Sequence, residues 1–350
     1  MDTVGLVERV LRELPEAPLR AAESVNSCGG AEVLRAEARK LGLTPLLAHM
    51  LPSFQAPEAE LLAARFRTAK LTRLTRVALE TLDARGVQAV VLKGVGLAAR
   101  FYPEVWLRPT SDIDLLVHPR DLDGARAALG LAGYREFEGP AESVFDFSQH
   151  CSFAGPDREL VELHFTLVCG FQSKFDSEGL FARSTTIEVE RGTVLPVLGL
   201  EDALVHMCAH AAHHRFGGAK WLFDLKLLAL DSSQGVDWAK CVRLARQARV
   251  QSAVGMALWE ASRRVRAPIP SEVIAELGPG YPRRVLADLV ANVEGVGMYP
   301  LSLMLADRIG KEWIKETAAR PVERAARLVG EKKRFRALVR RTLLGRDGTN

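Results

Sequence analysis

VVLKGVGLAARFYPEVWLRPTSDIDLLV, residues 90–117, holds an apolar strand, a Lys93-Gly94 turn, a short helix-like segment, a loop carrying Arg108, and Ser111-Asp112-Ile113-Asp114 opening a second apolar strand. Asp112 and Asp114 are two apart in a β-rich run. Side chains alternate faces along a strand, so both carboxylates point the same way. A rise of about 3.3 Å per residue leaves the two Cα atoms roughly 6.6 Å apart. Carboxylates at that spacing can converge on one hard cation or a close pair of them. Ile113 and Leu115 then face the opposite side, toward a core.

Upstream of this stretch the chain reads as helix. Residues 4–14 and 31–51 have apolar positions at helical spacing, and Gly42 breaks the second run. Pro57 opens a long helix through Leu61, Leu62, Phe66, Leu71, Leu74, Val77, Leu79 and Leu82 to Gly86. The arginines of this third read as a solvated face. VQAVVLK then begins a strand, and its apolar run between helices suits a buried position. Gly94 and Gly96 permit a tight turn, and the helix after it has N-terminal amides suited to phosphate. Lys93 beside that turn is a candidate cation, the bland alternative being a strand-end lysine in solvent. Arg108 precedes Pro109 and is biased toward extended backbone. It reads either as a triphosphate contact or as an ordinary loop charge.

Beyond Val117, Pro119 opens a helix that ends near Gly133. The pattern is then β: REFEG, HCSFAG, the turn Gly155-Pro156-Asp157, and ELVELHFTLV. In the last of these, Leu160, Glu162, His164 and Thr166 share one face, while Val161, Leu163 and Phe165 share the other. TTIEVERGTVLPVL reads as one more ribbon, turning at Arg191-Gly192. From Leu200 onward the chain reads helical. His206, His210 and His213 or His214 fall along one helix at a spacing that permits a metal site. HExxH is absent, so packed or hydrogen-bonded histidines are expected instead, with His213 or His214 lining a cleft. In AKWLFDLKLLAL, Lys220 and Asp224 are an i,i+4 pair, or alternatively a phosphate-binding lysine and a cleft-facing carboxylate. Breaks fall near Pro268, Pro270, residues 278–282 and Pro300. The tail EKKRFRALVRRTLLGR is basic and amphipathic, suited to RNA, anionic lipid or an acidic partner, or simply to solvent.

Composition narrows the class. At 350 residues the chain is long enough for two or three packed units. The net charge of +4 is too small to imply nucleic acid by itself. Cys28, Cys151, Cys169, Cys208 and Cys241 form no CxxC pair, and their odd count suits free thiols in a reducing compartment. The N-terminus has early acidic residues and no long apolar core, unlike a signal peptide. No apolar run approaches the length of a membrane span. A cytoplasmic protein is expected.

Two carboxylates on one strand and a third on its neighbour can hold two metal ions about 3.5–4 Å apart. Mg²⁺ needs oxygen ligands and keeps several waters, so a few carboxylates plus a triphosphate suffice. Asp112, Asp114 and Glu162 satisfy this if strand 158–166 packs beside strand 112–117. The ordered set is strand, Lys-Gly, helix, Arg and SDIDLLV, helix, then a hairpin ending in VELH. It resembles the uncharacterised nucleotidyltransferase family of the DNA polymerase β superfamily. The residues that carry the resemblance are Leu92-Lys93-Gly94, Arg108, Asp112-Ile113-Asp114, Gly133-Tyr134, Val161-Glu162-Leu163-His164, His206, His210 and Trp221-Leu222-Phe223-Asp224-Leu225. The resemblance spans roughly residues 30 to 230. It implies an α+β fold with a polymerase β-like nucleotidyltransferase core. That core has a mixed β-sheet (residues 86–198), flanked by N-terminal (1–85) and C-terminal (199–350) helical regions.

The same resemblance implies that Asp112, Asp114 and Glu162 bind Mg²⁺, with Mn²⁺ as a substitute, and that an NTP is the substrate. Ser111 and Gly94 would shape the phosphate-binding turn, and Lys93, Arg108 and Lys220 would neutralise the triphosphate. Asp224 would face the cleft, and His164 would position Glu162, shuttle a proton, or make only a structural hydrogen bond. One departure is visible: Lys93-Gly94 replaces the superfamily's usual Gly-Ser or Gly-Gly, with a longer loop before the acidic pair. The expected activity is transfer of NMP from an NTP to a hydroxyl of a small-molecule, peptide or protein, or RNA acceptor, with release of pyrophosphate. Two alternatives stand beside it. A nucleotide-sensing or partner-binding module would bind nucleotide without releasing pyrophosphate. A tRNA-modifying, toxin-like enzyme would show salt-dependent RNA binding through residues 332–346.

Overall fold

The computed structural model describes residues 6–18, 21, 31–137, 150–167, 173–189, 192–214, 216, 218–230 and 235–277. The basic tail, the breaks expected at 278–282 and Pro300, Cys28 and Cys169 lie outside the described residues. Helix α1 (Leu6–Glu13) buries Leu6, Val7, Val10 and Leu11. Helices α2 (Ala31–Lys40) and α3 (Thr44–Met50) are separated at Gly42, whose φ of +68° a side chain would oppose. Helix α4 (Glu58–Asp83) begins one residue after Pro57, which serves as its extended cap. Its buried stripe is Ala64, Thr68, Leu71, Thr75, Ala78 and Leu82, at alternating spacings of three and four. Leu62 and Phe66 stand exposed, because Leu62 lies two residues before Ala64 and Phe66 two before Thr68, so both point away from the inward stripe.

Seven strands follow: β1 (Ala89–Val91), β2 (Asp112–Val117), β3 (Arg135–Phe137), β4 (His150–Ala154), β5 (Leu160–His164), β6 (Thr185–Val189) and β7 (Thr193–Val197). They form one mixed sheet in the order β3-β4-β5-β2-β1-β7-β6. β2 lies at its centre, parallel to β5 and antiparallel to β1. The sheet contains both pairing types, with helices on each face, and the fold is α+β. Between β1 and β2 run the short helix α5 (Val95–Phe101) and a 3₁₀ turn at Val105–Leu107. Helix α6 (Leu122–Leu131) leads from β2 to β3, and α7 (Ser177–Ala182) precedes β6. The last of the described helices are α8 (Leu200–His213), α9 (Ala219–Leu230), α10 (Trp238–Gln247), α11 (Gln251–Val265) and α12 (Ser271–Leu277). None of the described helices is long and apolar enough to cross a membrane.

Strand alternation divides the core in two. Ile113, Leu115 and Val117 join Val161, Leu163 and Val91 in a cluster with Leu74, Ala78 and Leu82 of α4 and Ala125, Ala128 and Leu129 of α6. From the opposite face, Val90, Leu92 and Leu116 enter a cluster with Leu204, Met207 and Cys208 of α8 and Leu222 and Phe223 of α9. The same cluster takes in Val7, Val10 and Leu11 of α1, so N- and C-terminal helices share one apolar layer. Lys226, also buried, ties that layer together. Its Nζ donates to the carbonyls of Leu11 (3.3 Å) and Arg12 (2.9 Å) at the end of α1, and pairs with Glu16. Arg264 of α11 clasps Glu8 of α1.

Candidate active site

The second face of β2 carries Asp112 and Asp114, as the alternation predicts. The register of β2 on β5 sets Asp114 directly opposite Glu162. The carboxylates of Asp112, Asp114 and Glu162 offer oxygens that all lie within 4.8 Å of one another. The condition set by the sequence, that the VELH strand lie beside the acidic strand, is met by five consecutive paired positions.

Backbone geometry brings Lys93 to the same spot. The Leu92 N–H donates to the Asp114 carbonyl at 3.0 Å, continuing the β1–β2 ladder to its last rung. The chain then turns at Gly94, where φ is +61° and an added Cβ would stand 3.2 Å from Thr110 Oγ1. Glycine is required there on both counts. Lys93 Nζ pairs with Asp114 Oδ1 at 2.9 Å, so Lys93 is not a solvent-facing strand end. His164 Nε2 lies 3.1 Å from the same oxygen and 3.4 Å from Glu162 Oε2. The other oxygen, Asp114 Oδ2, is buried and has no hydrogen-bond partner. Asp112 Oδ1 accepts from the hydroxyls of Thr110 (3.2 Å) and Ser111 (3.3 Å).

These contacts set the charges. Burial would raise the Asp114 carboxyl, but Lys93 and His164 overcome it and hold its pKa well below the usual carboxylate range. Burial would lower Lys93, yet Asp114, Asp112 and Glu162 outweigh it and keep the ammonium protonated. Asp112 is raised, by burial and then by repulsion from Asp114. His164 is raised because its bonds to Asp114 and Glu162 exceed the opposing effect of burial. A cluster whose carboxylates repel one another, with a buried oxygen left unbonded, has the donor set of a hard divalent cation.

A cavity of about 360 Å³ opens onto this cluster. Lys93, Gly94, Arg108, Ser111, Asp112, Glu162, His164 and Lys220, all expected from the sequence, line it. Asp224 does not. Its oxygens accept from Arg108 Nε and Nη2, both at 2.8 Å, and from the Tyr102 hydroxyl at 2.7 Å. Both Arg108 and Asp224 are buried, at 4% and 1% exposure. The i,i+4 pair expected between Lys220 and Asp224 does not form. Asp224 turns to the stronger bidentate partner, and Lys220 Nζ donates instead to the Pro109 carbonyl at 3.3 Å. Burial, then the nearby Arg108 charge, lowers Lys220 to about 8.

The far wall of the cavity comes from α8 and α9. His206, His210, His213 and His214 all line it, together with Trp221. His214 stacks on Trp221 with centroids 4.5 Å apart, and His210 meets the same indole edge-on at 5.3 Å. His206 is buried, and neither ring nitrogen has a hydrogen-bond partner. Burial, then the Lys93 charge, brings its pKa to about 3, and His210 is likewise held well below the ordinary value. These histidines are not among the described groups whose ligand atoms converge on one point. They pack against one another and against Trp221. Three polar residues lining the site were not singled out from the sequence: Thr110, the exposed Arg67, and His150. His150 carries no signal among its sequence neighbours. It occupies the first position of β4, directly across from His164 of β5.

The chain matches the family described as uncharacterised nucleotidyltransferase over residues 31–266. No curated protein matches it. Two solved structures are similar at low identity. The antibiotic-resistance factor ANT(2'')-Ia shares 13% identity with a TM-score of 0.31, covering 65% of this chain and 98% of that one. An antigenic nucleotidyltransferase-like protein from Paracoccidioides brasiliensis shares 15% identity with a TM-score of 0.33, covering 59% of this chain and 91% of that one.

Proposed function

The protein belongs to the uncharacterised nucleotidyltransferase family, and we propose that it transfers NMP from an NTP to an acceptor hydroxyl in a Mg²⁺-dependent reaction that releases pyrophosphate. The observation that carries this reading is the convergence of Asp112, Asp114 and Glu162 within 4.8 Å on two adjacent parallel strands. The unpartnered Asp114 Oδ2 supports a cation there. Asp112, Asp114 and Glu162 would hold the divalent cation, which when bound neutralises triphosphate charge and acidifies the acceptor hydroxyl.

The protein's own groups account for the rest. Lys93 and Lys220 both line the cavity and supply positive charge, suited to the β- and γ-phosphates. Ser111 and Gly94 form the turn that meets them: glycine lets the backbone approach closely, and the Ser111 hydroxyl orients Asp112. Arg108 acts mainly as a positioning residue, because its guanidinium is committed to Asp224 and its chain leads into Pro109-Thr110-Ser111. Glu162, on the cavity wall, accepts the proton of the acceptor hydroxyl. That oxygen forms a bond to the α-phosphorus as the α–β phosphoanhydride bond breaks. His164, fixed between Asp114 and Glu162, holds the Glu162 carboxylate in place. The acceptor is a small molecule, a peptide or protein, or an RNA end, entering past the wall of α8 and α9.

The test is calorimetric titration with each NTP, with and without Mg²⁺, on the wild-type protein and on Asp112→Ala/Asp114→Ala. Binding that needs Mg²⁺ and disappears in the double variant is the expected result. Binding that is equal in both proteins overturns the reading.

A further inference from the structure

We propose that the sheet carries a second cation position beside the carboxylate cluster, formed by His150, His164 and Glu162, and that it takes a borderline transition-metal cation of the Mn²⁺ or Zn²⁺ class rather than Mg²⁺. The inference rests on the reading of the acidic cluster as a cation site, and adds to it the identity of a neighbouring ion.

Strand pairing builds the position. In the antiparallel β4–β5 ladder His150 lies directly across from His164, and Glu162 is two residues before His164 on the same face. Glu162 aims its two oxygens at different imidazoles: Oε2 is 3.4 Å from His164 Nε2, and Oε1 is 3.9 Å from His150 Nε2. One ligand atom from each of the three residues lies within 4.8 Å of the other two. A metal with bonds of about 2.1 Å at tetrahedral angles holds its donor atoms roughly 3.4 Å apart. The Glu162–His164 separation already has that length, and a turn of the Glu162 carboxylate lets one oxygen serve both imidazoles.

One further observation points to a ligand. Asp114, whose Oδ1 lies 3.1 Å from His164 Nε2, keeps its Oδ2 buried without a partner. A buried polar group left unsatisfied is costly, so this oxygen marks a place where something else binds.

The donor set decides the ion. Imidazole nitrogens suit Zn²⁺ and its neighbours in the first transition row, whereas Mg²⁺ favours all-oxygen surroundings. Two imidazoles and one carboxylate also leave a coordination position open for a water or a substrate oxygen. Glu162 belongs to both groups. It is the bridge through which an oxygen-ligated Mg²⁺ and a nitrogen-ligated partner would sit side by side.

The test uses the full-length protein loaded with Mn²⁺ in excess Mg²⁺, so that Mg²⁺ fills the carboxylate position, and reads the bound Mn²⁺ by pulsed electron paramagnetic resonance. The expected result is ¹⁴N modulation from directly bound imidazole in the wild type and in Asp112→Asn. His150→Gln should weaken that modulation. It should also weaken Mn²⁺ and Zn²⁺ affinity by at least the roughly 10–100-fold that loss of an outer-shell partner costs. His164→Gln should do the same, with circular dichroism reporting its fold. Should it fail to fold, His150→Gln decides alone. Absence of nitrogen modulation in the wild type, complete displacement of Mn²⁺ by Mg²⁺, or unchanged affinity in His150→Gln would each overturn the proposal and leave the imidazoles as positioning groups for Asp114 and Glu162. Mg²⁺–NTP binding measured on the same samples separates the two readings. Nucleotide binding without nitrogen modulation sinks only this inference, whereas nitrogen modulation without nucleotide binding sinks only the proposed function.

Discussion

Asp224→Asn tests whether the Arg108 pair is a structural clamp. Asparagine keeps the shape of the side chain and removes its charge. In the native arrangement one oxygen accepts from Arg108 Nε and Tyr102, and the other from Arg108 Nη2. An amide must place its NH₂ against one of those N–H donors, whichever way it is turned. The guanidinium is then a buried cation with half its partner gone. Breaking such a pair costs about 3–5 kcal/mol, a large share of the total stability of about 5–15 kcal/mol. At about 2–4 °C per kcal/mol for a domain of 150–250 residues, the melting temperature falls by roughly 6–20 °C. Urea titration and thermal melts would be run on the wild type, on Asp224→Asn, and on the triple variant Tyr102→Phe/Arg108→Met/Asp224→Leu. The triple variant replaces the whole network with apolar groups of similar size and should recover most of the loss. A single variant within about 1 kcal/mol of wild type would refute the clamp. So would a triple variant more damaged than the single one.

Asp112→Asn should abolish Mg²⁺-dependent nucleotide binding while leaving the melting temperature at neutral pH equal to or above that of wild type. The folded state disfavours this charge, through burial and repulsion from Asp114, and a lower melting temperature would contradict that. Lys93→Met should melt lower than wild type without metal, because it strips a buried carboxylate of its counter-ion. Saturating Mg²⁺ should raise its melting temperature by more than that of wild type, and an equal rise would count against the shared site. His206 gives an acid signature. Its folded pKa of about 3 lies below the ordinary histidine value near 6.5. Above about pH 6.5 both states are neutral. As the pH falls below it, the unfolded chain takes up a proton that the fold refuses. His206 therefore removes about 2 kcal/mol of stability between pH 7 and pH 5. His206→Leu should lose that part of the slope in urea titrations at the two pH values; an unchanged slope would show that His206 titrates normally.

The legible parts of this chain were those governed by local alternation. Asp112 and Asp114 share a face, and Ile113 and Leu115 share the other, because strand geometry allows nothing else. VELH was readable for the same reason, and its placement against SDIDLLV needed only one assumption about pairing. What the sequence hid was the choice of partner among equals. Asp224 has a lysine four residues before it and an arginine more than a hundred residues before it. Helical spacing favours the first, yet the bidentate geometry of the second wins once α9 packs over the loop before β2. His150 was overlooked because its meaning depends on what lies across the ladder, not on its neighbours in sequence. The packing of α8 histidines against Trp221 of the next helix belongs to the same class of tertiary choice.

The position of Lys93 reconciles two demands on Asp114. A carboxylate with no exposed side-chain surface needs a cation nearby in every state of the protein. A metal ligand must also present a free lone pair at the moment the metal arrives. Lys93 and His164 both address Oδ1, and Oδ2 is left without a partner. The resident cation therefore holds one oxygen without blocking the other. The Lys93 backbone is fixed by the Leu92–Asp114 rung on one side and by Gly94 on the other, so its side chain starts from a set position beside Asp114. A Lys-Gly pair at the end of β1 thus does two things that a Gly-Ser or Gly-Gly pair could not. It pairs the buried Asp114 carboxylate with a positive charge, and on the proposed reading it leaves Oδ2 free for the cation.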